Sequence, residues 1–301
     1  MMSLTSFLKQ ARRKFRVKNR LLQECLAEFL GVFLLVFIGG AAVAQVQTTG
    51  KGSYLSINIA YGVGVMFGIY VSGGVSGAHL NPAVSISFCV LGKLSWWKVP
   101  FYILSQILGG FVAAAVILAM YYDSIMHFTG GELIADGGPL ATGGIFSTYP
   151  AEYLTTRNGF IDQVVATGIL LLVILSLNDS QNNEPPEFLK PILIGVLVLV
   201  IGIAMGSNCG YPINPARDFG PRLFSYFAGY GSQVFTAGDN WWWVPLVAPV
   251  LGGLVGCFFY EILIEMHHDE EGRQRADNPE RPKVDVSPKE NQSHAREREG
   301  P

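Results

Sequence analysis

The chain has 301 residues, half of them hydrophobic and only 15% charged, with 35 glycines and a formal net charge of −2. That balance argues against a basic nucleic-acid binder and fits a polytopic membrane protein better than a soluble enzyme. Its four cysteines, Cys25, Cys89, Cys209 and Cys257, lack CxxC spacing, so free buried thiols are expected rather than a disulfide framework or a zinc site.

Residues 1–20 carry Lys9, Arg12, Arg13, Lys14, Arg16, Lys18 and Arg20 and no acid, which predicts a cytoplasmic N-terminus. Nothing there resembles a cleavable signal, because the apolar run that follows is long enough to span. Six stretches are near the ~20 residues that a ~30 Å hydrocarbon core demands. They are roughly 25–45, 54–72, 100–122, 160–178, 191–207 and 242–264. The pairs Gly64/Gly68, Gly202/Gly206 and Gly252/Gly256 recur at GxxxG spacing and predict close helix packing. With six spans the C-terminus returns to the cytoplasm. The long connection 123–159 then lies outside and holds one basic residue, Arg157. The connection 179–190 lies inside with mixed charge. Trp96, Trp97 and Trp241 to Trp243 are expected in interfacial belts.

The tail 267–301 is polar and reads as disordered. Its His267-His268-Asp269-Glu270-Glu271 run is a solvated segment in preference to a metal site, since nothing fixes ligands in space. The sequons at Asn178 and Asn291 fall on the cytoplasmic side and are expected to be unused.

One tripeptide occurs twice: Asn81-Pro82-Ala83 and Asn214-Pro215-Ala216. Each precedes an apolar stretch, 84–91 or 219–228, too short to cross a bilayer. Asn is a favoured helix N-cap and Pro suits the first helical position, so each triplet predicts a short helix starting at membrane depth. Aligned on the triplets, Gly77-Ala78-His79-Leu80 lies over Gly210-Tyr211-Pro212-Ile213, and Glu28 in span one lies roughly over Gln163 in span four. Three spans per half is an odd number, so the second half is inverted. The first half-helix then enters from the cytoplasm and the second from outside, and their N-termini meet at the midplane. Two positive dipole ends there disfavour a cation or an excess proton, while backbone near 75–79 and 207–211 offers carbonyls along a path. Such interrupted segments in matching halves point to a transport site at the repeat interface.

These paired boxes, with Ser76-Gly77-Ala78-His79-Leu80-Asn81-Pro82-Ala83-Val84 and Ala27-Glu28-Phe29, resemble the aquaporin superfamily. Asn214-Pro215-Ala216-Arg217-Asp218 resembles its glycerol-conducting branch, as do Gly144-Ile145-Phe146-Ser147-Thr148-Tyr149-Pro150 and Trp241-Trp242-Trp243-Val244-Pro245 of vertebrate members. The likeness covers about residues 20–266. It implies an all-α membrane fold, an aquaporin-like inverted repeat of six transmembrane helices plus two re-entrant half-helices. The channel domain is then 21–266, with repeat one about 21–122 and repeat two about 160–266. A basic N-terminus, 1–20, precedes it and the tail 267–301 follows.

The resemblance places a selectivity filter at Tyr61, Gly202, Tyr211 and Arg217. Gly202 stands where water-selective members carry His and leaves room; Tyr61 stands where Trp or Phe is usual. Two aromatic faces and a guanidinium suggest a slot in which the carbon chain of a polyol slides while Arg217 donates to its hydroxyls. Either Tyr taken alone reads as packing, whereas an intramembrane Arg is functional by default. Gly77, Ala78, His79, Asn208, Cys209 and Gly210 are candidates to line or gate the path. His79 reads either as a neutral group holding loop carbonyls, the preferred reading, or as a pH-sensitive gate. Glu28, Gln163 and Asp218 are expected to support loops rather than touch solute.

The function implied is a passive channel for glycerol, water and other small neutral solutes, excluding protons and ions. It would be a homotetramer in the plasma membrane, with both termini cytoplasmic, no cofactor, no metal and no catalytic residue. The rivals are a water-selective channel of the same fold, a coupled secondary transporter, and an integral-membrane enzyme. Gly202 and Asp218 oppose the first. Few acids lie near the midplane for the second, and no nucleophile-base or metal-ligand set supports the third.

Overall fold

The computed structural model describes residues 4–268. Its helices are α1 (Leu4–Phe15), α2 (Arg20–Thr49), α3 (Tyr54–Ser76), α4 (Pro82–Val90), α5 (Val99–Thr129), α6 (Thr156–Ser176), α7 (Lys190–Met205), α8 (Pro215–Ser225), α9 (Gln233–Asn240) and α10 (Val244–Leu263). Five of the predicted spans, in α2, α3, α5, α6 and α10, are long and apolar enough to cross a membrane. The sixth, α7, has 16 residues and is the shortest of the set. The basic segment before the first span, for which no helix is predicted, forms α1. Of the run His267–Glu271, residues 269–271 lie outside the described residues, as does the rest of the tail and the sequon at Asn291.

The spans end where side chains or glycines cap them. Asn19 accepts from the Leu22 N–H at the start of α2, and Ser53 and Ser56 form a reciprocal capping box on α3. Gly50, Gly77 and Gly130 close α2, α3 and α5 in the left-handed conformation that glycine adopts without strain.

Helix α2 packs on α3 and α5, and α6 packs on α10. Helix α4 packs on α10, while α8 packs on α5. Each half-helix therefore rests on the last span of the other half, and α3 against α7 closes the bundle. Two of the three glycine pairs are helix seams. Gly64 and Gly68 face the α2 backbone at Leu35 and Gly31, and Gly252 and Gly256 face α6 at Val164 and Gly168. Gly202 and Gly206 differ from the expectation, because a Cβ there would meet the side chains of Tyr211, Asn58 and Tyr54 rather than another helix backbone. A seam the sequence does not flag joins Gly62 and Gly195. A Cβ on Gly62 would lie 2.6 Å from the Gly195 carbonyl oxygen, and one on Gly195 would lie 2.7 Å from that of Gly62.

Trp96 and Trp97 are exposed, as a belt requires. Trp241 is fully buried and departs from that expectation. It fills the space over Gly159, under the start of α10, and packs with Cys209, Val244 and Ala248. Cys89, Cys209 and Cys257 are buried free thiols, whereas Cys25 is only half-buried.

Two connections are held by charge. At one end of the bundle, Asp218 accepts from the Thr148 N–H (2.8 Å), the Thr148 hydroxyl (2.6 Å) and Arg222 Nε (2.8 Å). Arg222 also donates to the carbonyls of Thr148 and Val234, both at 2.6 Å. This fully buried pair fastens the long connection 130–155 to α8. At the opposite end, Asp179 in the connection 177–189 accepts from the Tyr260 hydroxyl (2.7 Å) and the Gln181 N–H (2.9 Å), and His268 Nε2 lies at 2.6 Å. Burial pushes its pKa up, but those hydrogen bonds and the charge of His268 prevail and hold the carboxyl below its usual range. Lys190 bridges Glu184 (2.7 Å) and Glu187 in the same connection.

Two substitutions test these anchors. Gly62→Ala should wedge α3 from α7 and lower the stability of the purified protein by about 1–3 kcal/mol. A melting temperature equal to wild type would mean that the seam yields freely. Asp218→Asn should leave Arg222 buried without its counter-charge, a loss of about 3–5 kcal/mol, and loosen the outer connection to proteolysis near Thr148. Unchanged cleavage there would refute the anchoring role.

Candidate functional site

The two triplets meet as the sequence predicts and brace one another. Asn81 caps α4 by accepting from the Ala83 N–H, and Asn214 caps α8 by accepting from the N–H groups of Ala216 and Arg217. Pro82 and Pro215 take the first helical positions, where a missing N–H does no harm. Each amide nitrogen then crosses to the other half. Asn81 Nδ2 donates to the Ile213 carbonyl at 2.9 Å, and Asn214 Nδ2 donates to the Leu80 carbonyl at 2.8 Å. Ala83 and Ala216 are fully buried, which lets the two helix starts approach this closely.

The irregular backbone is confined to 77–80 and 210–213, shorter than the stretches expected near 75–79 and 207–211, because α3 continues to Ser76 and 206–209 form a turn. Ala78 and Leu80 have φ of 52° and 54°, and Tyr211 and Ile213 have φ of 36° and 34°. Left-handed conformations at alternate non-glycine positions are strained and must be held from outside. Glu28 does this in the first half. It accepts from the N–H groups of His79 (3.0 Å) and Leu80 (2.7 Å), from Ser76 Oγ (2.6 Å) and from Gln106 Nε2 (2.8 Å). Gln163 does it in the second half, its Oε1 accepting from the Ile213 N–H at 2.9 Å. Both are fully buried.

A cavity of about 560 Å³ runs past this junction. At one end it is bounded by Tyr70, Phe188 and Lys190, where the Tyr70 hydroxyl donates to the Phe188 carbonyl at 2.6 Å. Gly77, Ala78, His79 and both asparagines line its middle, facing an apolar wall of Leu170, Ile174, Ile194 and Val198. His79 Nδ1 lies 3.1 Å from Ser85 Oγ, and the ring meets Phe88 and Tyr102 edge-on. At the far end lie Tyr61, Tyr211 and Arg217.

The tyrosine rings meet at 77° with centroids 6.0 Å apart. The Arg217 guanidinium carbon is 4.7 Å from the Tyr61 ring centre. Its Nη2 donates to the Tyr61 hydroxyl at 2.7 Å and its Nη1 to the Phe146 carbonyl at 3.3 Å. Among the described residues no carboxylate forms a salt bridge with Arg217, since Asp218 pairs with Arg222 instead. The guanidinium therefore lies beside the cavity without a direct ion pair, with N–H donors left over.

Gly202 does not line the cavity. A Cβ there would come within 2.6 Å of Tyr211 Cζ, so the room that it leaves is taken by the Tyr211 ring. Gly39 does the same for Tyr61, whose Cγ would lie 2.6 Å from a Cβ at that position. Sequence reasoning missed Gly39, which reads there as one more small residue in an apolar span. It also missed the Phe146 carbonyl and Gln106, because distant segments meet there. Asn208, Cys209 and Gly210 lie off the main cavity, since the turn after α7 directs Asn208 and Cys209 toward Asp162 and Gln163 of α6. Cys209 is buried, 3.1 Å from Gln163 Nε2, and Gly210 closes the turn onto the Gly206 carbonyl. Asn208 faces a separate cleft with Tyr153 and Asp162. Among the described residues no cluster of His, Cys, Asp and Glu could hold a metal.

The model of the family described as "Major intrinsic protein" matches residues 15–260. Aquaporin-10 of Homo sapiens is 49% identical over 257 residues, spanning 85% of this chain and 85% of its own length. Aquaporin-9 of Homo sapiens is 45% identical over 285 residues, spanning 92% of this chain and 96% of its own. The X-ray structure of the aquaglyceroporin from Plasmodium falciparum superposes with a TM-score of 0.74 at 36% identity, covering 82% of this chain and 98% of that one. With its paired, cross-braced half-helices and a family match over most of its length, this chain belongs to the major intrinsic protein family.

Proposed function

We propose that this chain is a passive membrane channel for glycerol, water and other small neutral solutes, excluding protons and ions. The observation that carries this is the cavity that passes two cross-braced asparagines and ends at Tyr61, Tyr211 and Arg217. An amide nitrogen has two N–H donors; one of each asparagine goes to the opposite loop, and the other is left for a passing oxygen. The two helix N-termini add positive potential at the same place, and Arg217 adds a full charge further on. A cation or a proton defect meets an electrostatic barrier twice, whereas a neutral hydroxyl finds donors. The apolar wall of α6 and α7 suits the carbon chain of a polyol.

Tyr61, Tyr211 and Arg217 form the filter in this proposal, and Gly202 and Gly39 set how far each ring withdraws. Glu28, Gln163 and Asp218 act through the loops they hold. The protein would work as a homotetramer in the plasma membrane, with 21–266 as the channel domain and both termini cytoplasmic. The basic residues before α2 support that orientation. Neither a cofactor nor a catalytic step is needed.

Stopped-flow light scattering on proteoliposomes tests this directly. Under a glycerol gradient and, separately, an impermeant sugar gradient, both glycerol and water should equilibrate rapidly. Water flux without glycerol flux would mean that the tyrosines close the slot to polyols, and saturable uptake coupled to an ion gradient would mean a transporter. Gly202→Ala should push the Tyr211 ring toward the path and reduce glycerol permeability by about tenfold, an added barrier of about 1.4 kcal/mol, with a smaller effect on water. Equal losses for both solutes would indicate general misfolding of the pore rather than a narrowed filter.

A further inference from the structure

The twelve-residue helix α1 is not absorbed by the channel. It is about 18 Å long by helical rise, too short to span a bilayer, and it lacks any acidic residue. Phe7, Leu8 and Phe15 share one face at helical spacing and are 54%, 48% and 75% exposed. Lys9, Arg12 and Arg13 occupy the other face, with Arg16 just beyond the helix, and all four are exposed. Among the described residues none of these cations has a salt-bridge partner.

The surroundings give the level at which α1 sits. Only residues 16–19 separate it from α2. The first turns of α2 are joined to the start of α5 by Glu24 and Lys98 at 2.8 Å. Beside Lys98 stand Trp96 and Trp97, 63% and 59% exposed, the side chains that favour a membrane–water boundary. An amphipathic cationic helix tethered a few residues from that boundary has one surface of matching chemistry within reach: apolar acyl chains beneath, anionic phosphates above.

We propose that α1 is an in-plane membrane helix that seats Phe7, Leu8 and Phe15 in the leaflet and binds the phosphates of anionic lipids through Lys9, Arg12, Arg13 and Arg16. This does not depend on which solute the pore passes.

Hydrogen exchange of residues 4–15, followed by mass spectrometry on the full-length protein in nanodiscs, tests it. Phosphatidylcholine discs are compared with discs in which about one lipid in three is phosphatidylserine. Amides of α1 should exchange about tenfold more slowly in the anionic discs at ~0.15 M salt, and the difference should vanish at ~0.5 M. The variant K9Q/R12Q/R13Q/R16Q should exchange at the neutral-lipid rate in both discs, and F7S/F15S should lose protection in both. Exchange of α2 to α10 in the same spectra reports whether each variant is folded. Equal α1 exchange in the two lipids, or protection that appears only when an acidic soluble protein is added, would overturn the proposal. Glycerol permeability of the same preparations is a separate readout, so failure of the channel function would not be mistaken for failure of lipid binding.

Discussion

The structure depends on two amide groups that each do two jobs. Asn81 and Asn214 cap their own half-helices through the side-chain oxygen and grip the opposite loop through the nitrogen. Neither half-helix could stop at the midplane without such a cap, because its first N–H groups would face hydrocarbon without partners. The side-chain oxygens satisfy the first N–H groups of each helix, and the reciprocal brace satisfies a carbonyl of each loop. It also sets both asparagines beside the cavity at the point where the two helix N-termini converge.

The loops leading to those asparagines are held from behind by an unequal pair. Glu28 offers a carboxylate to two backbone N–H groups and two side chains, while Gln163 offers a neutral oxygen to one N–H. The positive φ values at Ala78, Leu80, Tyr211 and Ile213 repeat in both loops, so the backbone is close to symmetric even though the supports are not. The second half gains a further anchor in the Asp218–Arg222 pair, which brings the outer connection down onto α8 and presents the Phe146 carbonyl to Arg217.

The placement of Tyr61 and Tyr211 is set by what glycine omits. Gly39 and Gly202 each accept a tyrosine ring against a helix backbone, and the Tyr61 ring so placed puts its hydroxyl on Arg217. The guanidinium is thereby oriented by an aromatic neighbour and a carbonyl, while the adjacent Asp218 makes its direct ion pair with Arg222.

Much of this was legible in the chain. Apolar runs of near-bilayer length, the duplicated Asn-Pro-Ala box and the odd number of spans per half determine an inverted repeat with facing half-helices, because each follows from local preference and from the bilayer's demand that backbone groups be satisfied. Glu28 over Gln163 follows from alignment of the halves, and the filter place expected of Arg217 follows from the resemblance to the aquaporin superfamily. Tertiary structure alone decided that Gly202 makes room for Tyr211 instead of for solute, that Asn208 and Cys209 turn away from the path, and that Trp241 is core rather than interface. It also decided that a carbonyl from the outer connection completes the site. These depend on side chains and loops that meet across long stretches of sequence. Local pattern carries the period and the caps of a helix, but which residue of a distant segment fills the space beside a glycine is fixed only when the helices pack.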